Sequence, residues 1–321
     1  MKEEKFDFYS RTSIKSYNLD DKIRYQLKML DGLDAFTRRH SENVANLTCR
    51  LCEYLKVDKT IGKGFTVYCT TCAYLHDIGK MFIPPSILQK QSALTKEEFE
   101  VMKTHTSIGY KMCMQDPKLR PYSAGTLYHH ESLDGSGYPN GVKEKDIPYE
   151  AQIIRVADEF DAISSKRQYK THVGIVETLN MLIDDSNPKI QTLNTLIQEA
   201  QPEKGSGNRV GKINKEILRQ LFKVILDDTE YEISVRCEYI DYLKEELKRI
   251  NEANKYFVKM NKAPEKKKDY FRQGAEAYLR DNEKIENIPT LVKEYQDAYN
   301  DRQEHLKKLY KEAKQIKSLK C

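Results

Sequence analysis

Tyr74-Leu-His76-Asp77-Ile-Gly-Lys80 closes a helical pattern that starts near Thr66. Gly79-Lys80 ends the helix and Pro84-Pro85 marks the turn beyond it. A histidine and an aspartate side by side at a helix exit can both point inward, and a carboxylate there can bridge two cations. Alone, such a dipeptide is common. Here five of the seven histidines fall in comparable strings: His40, His76, His105 and the adjacent His129 and His130. Asp158 follows downstream in Arg155-Val-Ala-Asp158-Glu-Phe-Asp161. Neutral imidazole and ionised carboxylate are the ligands a borderline-hard transition ion prefers, and no thiolate lies in these strings.

Outward from that stretch the pattern is helical almost throughout. A polar lead-in with Phe6, Phe8 and Tyr9 as docking side chains precedes a helix predicted over Asp21–Leu33. From His40, the positions Val44, Leu47, Leu51 and Leu55 make one apolar stripe. Thr95-Lys-Glu-Glu98 reads as a capping box for the helix that carries His105, and a further helix is predicted to end at His129 and His130. Asp134-Gly-Ser-Gly-Tyr-Pro139 is a loop, because two glycines and a proline forbid a helix. Helical periodicity resumes from Tyr149 to Ile163 and from Gly174 to Ile183. Asp184–Arg209 reads as a short helix with a mobile loop, and a helix restarts after Gly211.

From Glu230 the chain is charged and strongly periodic: Ile233, Cys237, Ile240, Leu243, Leu247, Ile250, Asn254 and Phe257 recur at three- and four-residue steps. A second helix is predicted over Lys266–Lys284 and a third after Pro289, giving a three-helix tail with narrow seams that serves packing or dimerisation.

The totals exclude several classes. With 54 Lys+Arg against 49 Asp+Glu, the net +5 of this 321-residue chain is a small imbalance, and no basic block interleaved with aromatics marks a nucleic-acid binder. The sequence shows no secretion signal and no run of 18 apolar residues. Seven cysteines without a small-domain disulfide framework suit a reducing compartment, so a soluble cytoplasmic protein is expected. Cys49-Arg-Leu-Cys52 and Cys69-Thr-Thr-Cys72 have zinc-site spacing but lie within helical patterns, with Cys49 projecting away from the apolar stripe; buried packing thiols are the reading taken over a zinc site.

Taken in order, the His76-Asp77 string, Lys103-Thr-His105-Thr-Ser-Ile-Gly109, His129-His-Glu-Ser-Leu-Asp134-Gly-Ser-Gly-Tyr-Pro139, Arg155-Val-Ala-Asp158 and Arg167-Gln-Tyr-Lys170 resemble the HD-GYP subfamily of the HD-domain phosphohydrolases. The resemblance covers roughly residues 30–228 and does not reach the C-terminal helices. It implies an all-α fold, an HD-domain helical bundle followed by a coiled-coil-like tail. The organisation expected is a lead-in over 1–20, the phosphohydrolase domain over 21–229 with an insertion at about 184–209, and a three-helix region over 230–321.

The resemblance further implies a phosphodiesterase that opens a cyclic dinucleotide, most often cyclic di-GMP, to its linear form with metal-activated hydroxide. The metal ligands it implies are His40, His76, Asp77, His105, His129, His130 and Asp158, with Asp77 bridging and Asp161 orienting ligands. Two divalent ions, iron or manganese, are implied. Lys80 matches the lysine beside the scissile phosphate, Gly137-Tyr138-Pro139 the signature loop, and Arg167 and Lys170 residues that engage ligand phosphate or base. No membrane or nucleic-acid polymer is implied as a partner; a homodimer or signalling partner through 230–321 is left open.

Phe36 departs from the pattern, standing where some members carry a glutamate that helps hold a third metal. A two-metal site that stops at the linear product is therefore expected. Competing readings are a phosphohydrolase for cyclic GMP-AMP or an alarmone, and a catalytically weak sensor that signals through the tail. His172 and His305 match nothing and are read as surface residues, and Glu131 is kept out of the ligand set.

Overall fold

A computed structural model describes residues 35–165, 173–188 and 210–320. The predicted Asp21–Leu33 helix, the aromatic lead-in, Arg167, Lys170, His172 and most of the 184–209 segment lie outside the described residues. Among those described there is no strand. The fold is all-α. The chain divides into two compact units, Met1–Ile225 with Leu319–Cys321, and Leu226–Ser318.

In the first unit α1 (Ala35–Leu55) packs on α3 (Phe65–Leu75) and α7 (Tyr149–Ser164); the single turn α2 (Val57–Thr60) joins α1 to α3. Everything in α3 from Cys69 to Leu75 is buried, as expected of a helix apolar on every side. Around it stand Val44, Leu47 and Leu51 of α1, and Ile153, Ile154, Val156 and Ala157 of α7. Cys49 is also fully buried, contrary to its predicted outward projection, because α1 is covered by two helices rather than along one stripe. Cys52, Cys69, Cys72 and Cys113 are buried thiols as well, and no cysteine belongs to a metal-competent cluster among the described residues.

The helix predicted to run to Ile78 stops at Leu75, and His76 and Asp77 occupy its exit before a 3₁₀ turn over Ile78–Phe82. That turn lies flat on α5 (Lys96–Gln115), which follows the short α4 (Pro85–Leu88). Gly79 permits the approach: a Cβ there would stand 1.9 Å from the His105 carbonyl oxygen. Glycine thus locks the Asp77 turn against the helix that carries His105. The capping box forms as read, Thr95 Oγ1 accepting from Glu98 N at 3.2 Å and Glu98 Oε2 from Thr95 N at 2.7 Å. Next, α6 (Ser123–Tyr128) delivers His129 and His130 at its exit, and α8 (Ile175–Ser186) packs on α7.

The tail differs from the sequence reading in its boundaries. The helix restarting after Gly211 does not pause near Glu230; α9 is continuous over Lys215–Lys262. Within the second unit α10 (Glu265–Glu276) stops eight residues before the predicted Lys284, and α11 spans Ile288–Ser318. The early stop has a cause: the Tyr278 carbonyl is taken by Arg249, whose guanidinium also pairs with both oxygens of Glu283 at 2.7 and 2.8 Å. Pro289 sits inside the first turn of α11, where a missing N–H leaves no bond unmade. One apolar cluster joins Ile250, Ala253, Ala275 and Ile288, and another joins Ile233, Leu309 and Ala313. Among the described residues, no helix is long and apolar enough to cross a membrane.

Candidate metal centre

Three helices and the exits of two others bring His40, His76, Asp77, His105, His129, His130 and Asp158 together. Three overlapping groups place their ligand atoms within 4.8 Å of one another: His40, His76 and Asp158; His76, Asp77 and His129; His105, His129 and His130. His76, Asp77 and His129 are fully buried.

The tautomers follow from the hydrogen bonds. His76 Nδ1 donates to the Ala73 carbonyl at 2.6 Å, His105 Nδ1 to Met102 at 2.7 Å, and His129 Nδ1 to Gly125 at 2.9 Å. A carbonyl only accepts, so each Nδ1 carries the proton and each neutral ring turns an Nε2 lone pair inward. His105 Nε2 and His129 Nε2 consequently face each other at 3.3 Å. Protonation does not relieve this contact: burial lowers His105 to about 4 and, with the neighbouring histidines, holds His129 well below the usual range. Burial and His129 likewise depress His130.

Asp77 stands between two sets of rings. Its Oδ2 is 3.3 Å from His76 Nε2 and 3.8 Å from His40 Nε2; its Oδ1 is 3.4 Å from His105 Nε2 and 3.9 Å from His129 Nε2. Burial pushes this carboxyl up, but the positive Lys80, 2.5 Å from Oδ2, and the adjacent His76 outweigh it and hold the group well below the usual carboxylate range. It is an anion. His76 Nε2 and Asp77 Oδ1 are buried and make no hydrogen bond. Orphaned lone pairs of this kind are costly in a protein interior unless a cation satisfies them. The donor set therefore fits transition-metal ions, and no thiolate enters it.

His40 and Asp158 close the first side. His40 Nε2 is 3.0 Å from Asp158 Oδ1, and Asp158 Oδ2 is 3.7 Å from His130 Nδ1. Burial alone would lower His40, yet its bonds to Asp158 and Asp161 raise it to about 9. Between Nε2 and Oδ1 the pair can hold either a proton or a metal ion. Asp161 takes the other ring nitrogen of His40 at 2.6 Å and is itself held by Asn43 Nδ2 at 3.0 Å and Ser165 Oγ at 2.8 Å. Such outer partners fix ring orientation and ligand basicity. Asn43 was not legible as a site residue; it lies three positions after His40 in the sequence, the one signal that could have placed it on the same helical face.

The signature loop borders the cluster. Tyr138 stacks on His130 with ring centroids 4.7 Å apart, and its N–H donates to the His130 carbonyl at 3.1 Å. A Cβ on Gly137 would stand 2.3 Å from Ser132 N, so only glycine lets the loop lie against that backbone. Pro139 is exposed, its peptide with Tyr138 cis. Glu131, left out of the ligand set, takes the N–H groups of Asn140 at 2.7 Å and Val142 at 3.2 Å and so clamps the loop. Phe36 lies in α1, with its side chain outside what is described, and His305 is exposed on α11.

A family profile described as HD domain matches residues 25–190. The chain belongs to the HD-domain family. Within it, Gly137-Tyr138-Pro139 beside the histidine cluster is the mark of the HD-GYP type. A cyclic di-GMP phosphodiesterase of Thermotoga maritima is 45% identical over 139 residues, 43% of this chain and 37% of its own length. The cyclic di-GMP phosphodiesterase PdeB of Borreliella burgdorferi is 35% identical over 150 residues, 47% of this chain and 38% of its own. The 3'3'-cGAMP-specific phosphodiesterase 3 of Vibrio cholerae is 30% identical over 163 residues, 51% of this chain and 35% of its own. The chain thus spans less than two fifths of the length of these relatives.

Proposed function

We propose that this chain is a metal-dependent phosphodiesterase that opens a cyclic dinucleotide, cyclic di-GMP first among the candidates, to the linear dinucleotide. The observation that carries the proposal is the placement of Asp77, one oxygen toward His40 and His76 and the other toward His105 and His129. On this reading one ion would be held by His40, His76 and Asp158 and the other by His105, His129 and His130, with Asp77 shared between them. Iron and manganese suit these hard and borderline donors. Two such ions supply charge neutralisation for a phosphodiester and a water made acidic enough to attack at neutral pH.

The chain's own groups do the rest. Asp161 and the carbonyls of Ala73, Met102 and Gly125 hold the imidazoles in the ligating tautomer. Lys80, at the edge of the cluster, places positive charge where the phosphoryl oxygens gain negative charge. Tyr138 lines the approach, and Arg167 and Lys170 engage phosphate or base. The relatives named for cyclic di-GMP and for cGAMP support a cyclic dinucleotide substrate. A cytoplasmic setting accords with the thiol state of all six described cysteines. Any homodimer or signalling contact is assigned to residues 230–321, where Val235, Tyr242, Tyr270 and Tyr310 are exposed.

The test is turnover of radiolabelled cyclic di-GMP and cyclic GMP-AMP by metal-loaded protein. Metal-dependent appearance of the linear dinucleotide is expected. Tight binding without turnover would instead make the chain a sensor, and neither binding nor turnover would remove the cyclic dinucleotide from the account.

A further inference from the structure

Phe99 occupies the fourth position of α5, and Leu94 precedes the Thr95 cap, so the two hold the positions of a hydrophobic staple. A staple accounts for an apolar residue there, but not for where the rest of this ring lies. Phe99 is still 45% exposed. Its ring is 6.3 Å from that of Tyr138 in an edge-to-face arrangement, and Tyr138 in turn stacks on His130. Four residues on, along the same helical face, Lys103 holds its ammonium 5.1 Å from the centre of the Phe99 ring and 5.7 Å from that of Tyr138. The ammonium also pairs with the exposed Glu100, an ion pair of the kind that contributes little.

We infer that Phe99, Lys103 and Tyr138 form a platform that receives one purine base of the substrate, and that Lys103 selects guanine. The inference rests on the phosphodiesterase reading, since it is the metal centre that would hold the phosphate beside this platform. An exposed aromatic face next to a phosphate-binding site offers stacking to any base. The ammonium adds discrimination. It has three donors and no acceptor, so it satisfies the O6 and N7 acceptors of guanine, whereas adenine turns a donor amino group toward it in place of O6. Neither Phe99 nor Lys103 is a ligand of the cluster, so both can be replaced without removing a metal donor.

The experiment uses the full metal-loaded chain with cyclic di-GMP, cyclic di-AMP and methyl p-nitrophenyl phosphate, a phosphodiester that carries no purine. Phe99→Ala is expected to raise KM for cyclic di-GMP roughly tenfold, with kcat, metal content and hydrolysis of the simple diester unchanged. Phe99→Tyr should restore the KM. Leu94→Ala removes the other half of the staple and leaves the platform in place, so its KM should match the wild type. Lys103→Met should lower the preference for cyclic di-GMP over cyclic di-AMP, as the ratio of kcat/KM, roughly tenfold. An unaltered KM in Phe99→Ala, an equal loss on the simple diester, or an equal rise in Leu94→Ala overturns the platform. The last of these would mean that Phe99 acts by stapling alone. An unaltered ratio in Lys103→Met overturns the guanine assignment. If the wild-type chain hydrolyses the simple diester but no dinucleotide, the substrate reading fails, and this inference with it.

Discussion

Lys80 Nζ lies 2.5 Å from Asp77 Oδ2, the same oxygen that faces His40 and His76. One carboxylate oxygen is thus shared between a fixed cation of the chain and the nitrogens that would ligate an ion. Lys80 keeps Asp77 ionised, yet it is not itself a donor to metal. Its loss should therefore separate chemistry from metal uptake. Lys80→Ala is expected to lower kcat about 100-fold or more while KM and metal content change little, because its charge matters most as the phosphoryl oxygens gain charge. Steady-state kinetics with elemental analysis of the same samples checks this; parallel loss of metal would assign Lys80 to holding the site instead.

Asp77→Ala should behave differently. It removes both oxygens that face the two histidine pairs, so metal content and activity are expected to fall together. The drop should exceed the roughly 10- to 100-fold that losing an outer partner alone causes. Anomalous scattering or elemental analysis should find about two ions per wild-type chain, the number a bridging carboxylate serves. Full metal and turnover in Asp77→Ala would show that the bridge is misassigned.

Asp161→Asn tests the outer layer alone. The amide keeps the size of the side chain but can present its N–H₂ to His40 Nδ1, disfavouring the tautomer that ligates through Nε2. Metal affinity is expected to fall about 10- to 100-fold, with activity recovered at high metal concentration. Activity that stays low at saturating metal would place Asp161 in the chemistry itself.

Gly137→Ala should loosen the signature loop without touching a ligand. The added Cβ would stand 2.3 Å from Ser132 N and 2.5 Å from Glu131 Cα, both backbone atoms that cannot swing aside. Overpacking of this kind costs about 1–3 kcal/mol, so a lower thermal midpoint and a higher KM are expected with metal retained. An unchanged midpoint would mean that the loop has room to move.

The product should be the linear dinucleotide. Phe36 offers no carboxylate for a third ion, and the terminal phosphate dianion made by ring opening needs more cationic charge than two ions give. Chromatographic time courses are expected to show the linear species accumulating and mononucleotide forming slowly if at all. Mononucleotide without a detectable linear intermediate would overturn the inference from Phe36.

Much of this protein is written locally in its sequence. The histidine strings, the capping box at Thr95, the Gly-Tyr-Pro loop and the helical periodicity are short-range patterns, and each maps onto a helix, a cap or a turn. What the sequence could not decide is how those pieces meet. The exit of α3 at Leu75, the rings of His105 and His129 brought face to face, and the clamp of Glu131 on Asn140 and Val142 all depend on contacts that local pattern does not encode. The burial of Cys49 and the early stop of α10 at Glu276 have the same origin, in two covering helices and in Arg249. Periodicity reports which face of a helix is apolar. Only packing determines how many faces are covered, and which carbonyls and carboxylates a neighbouring element will claim.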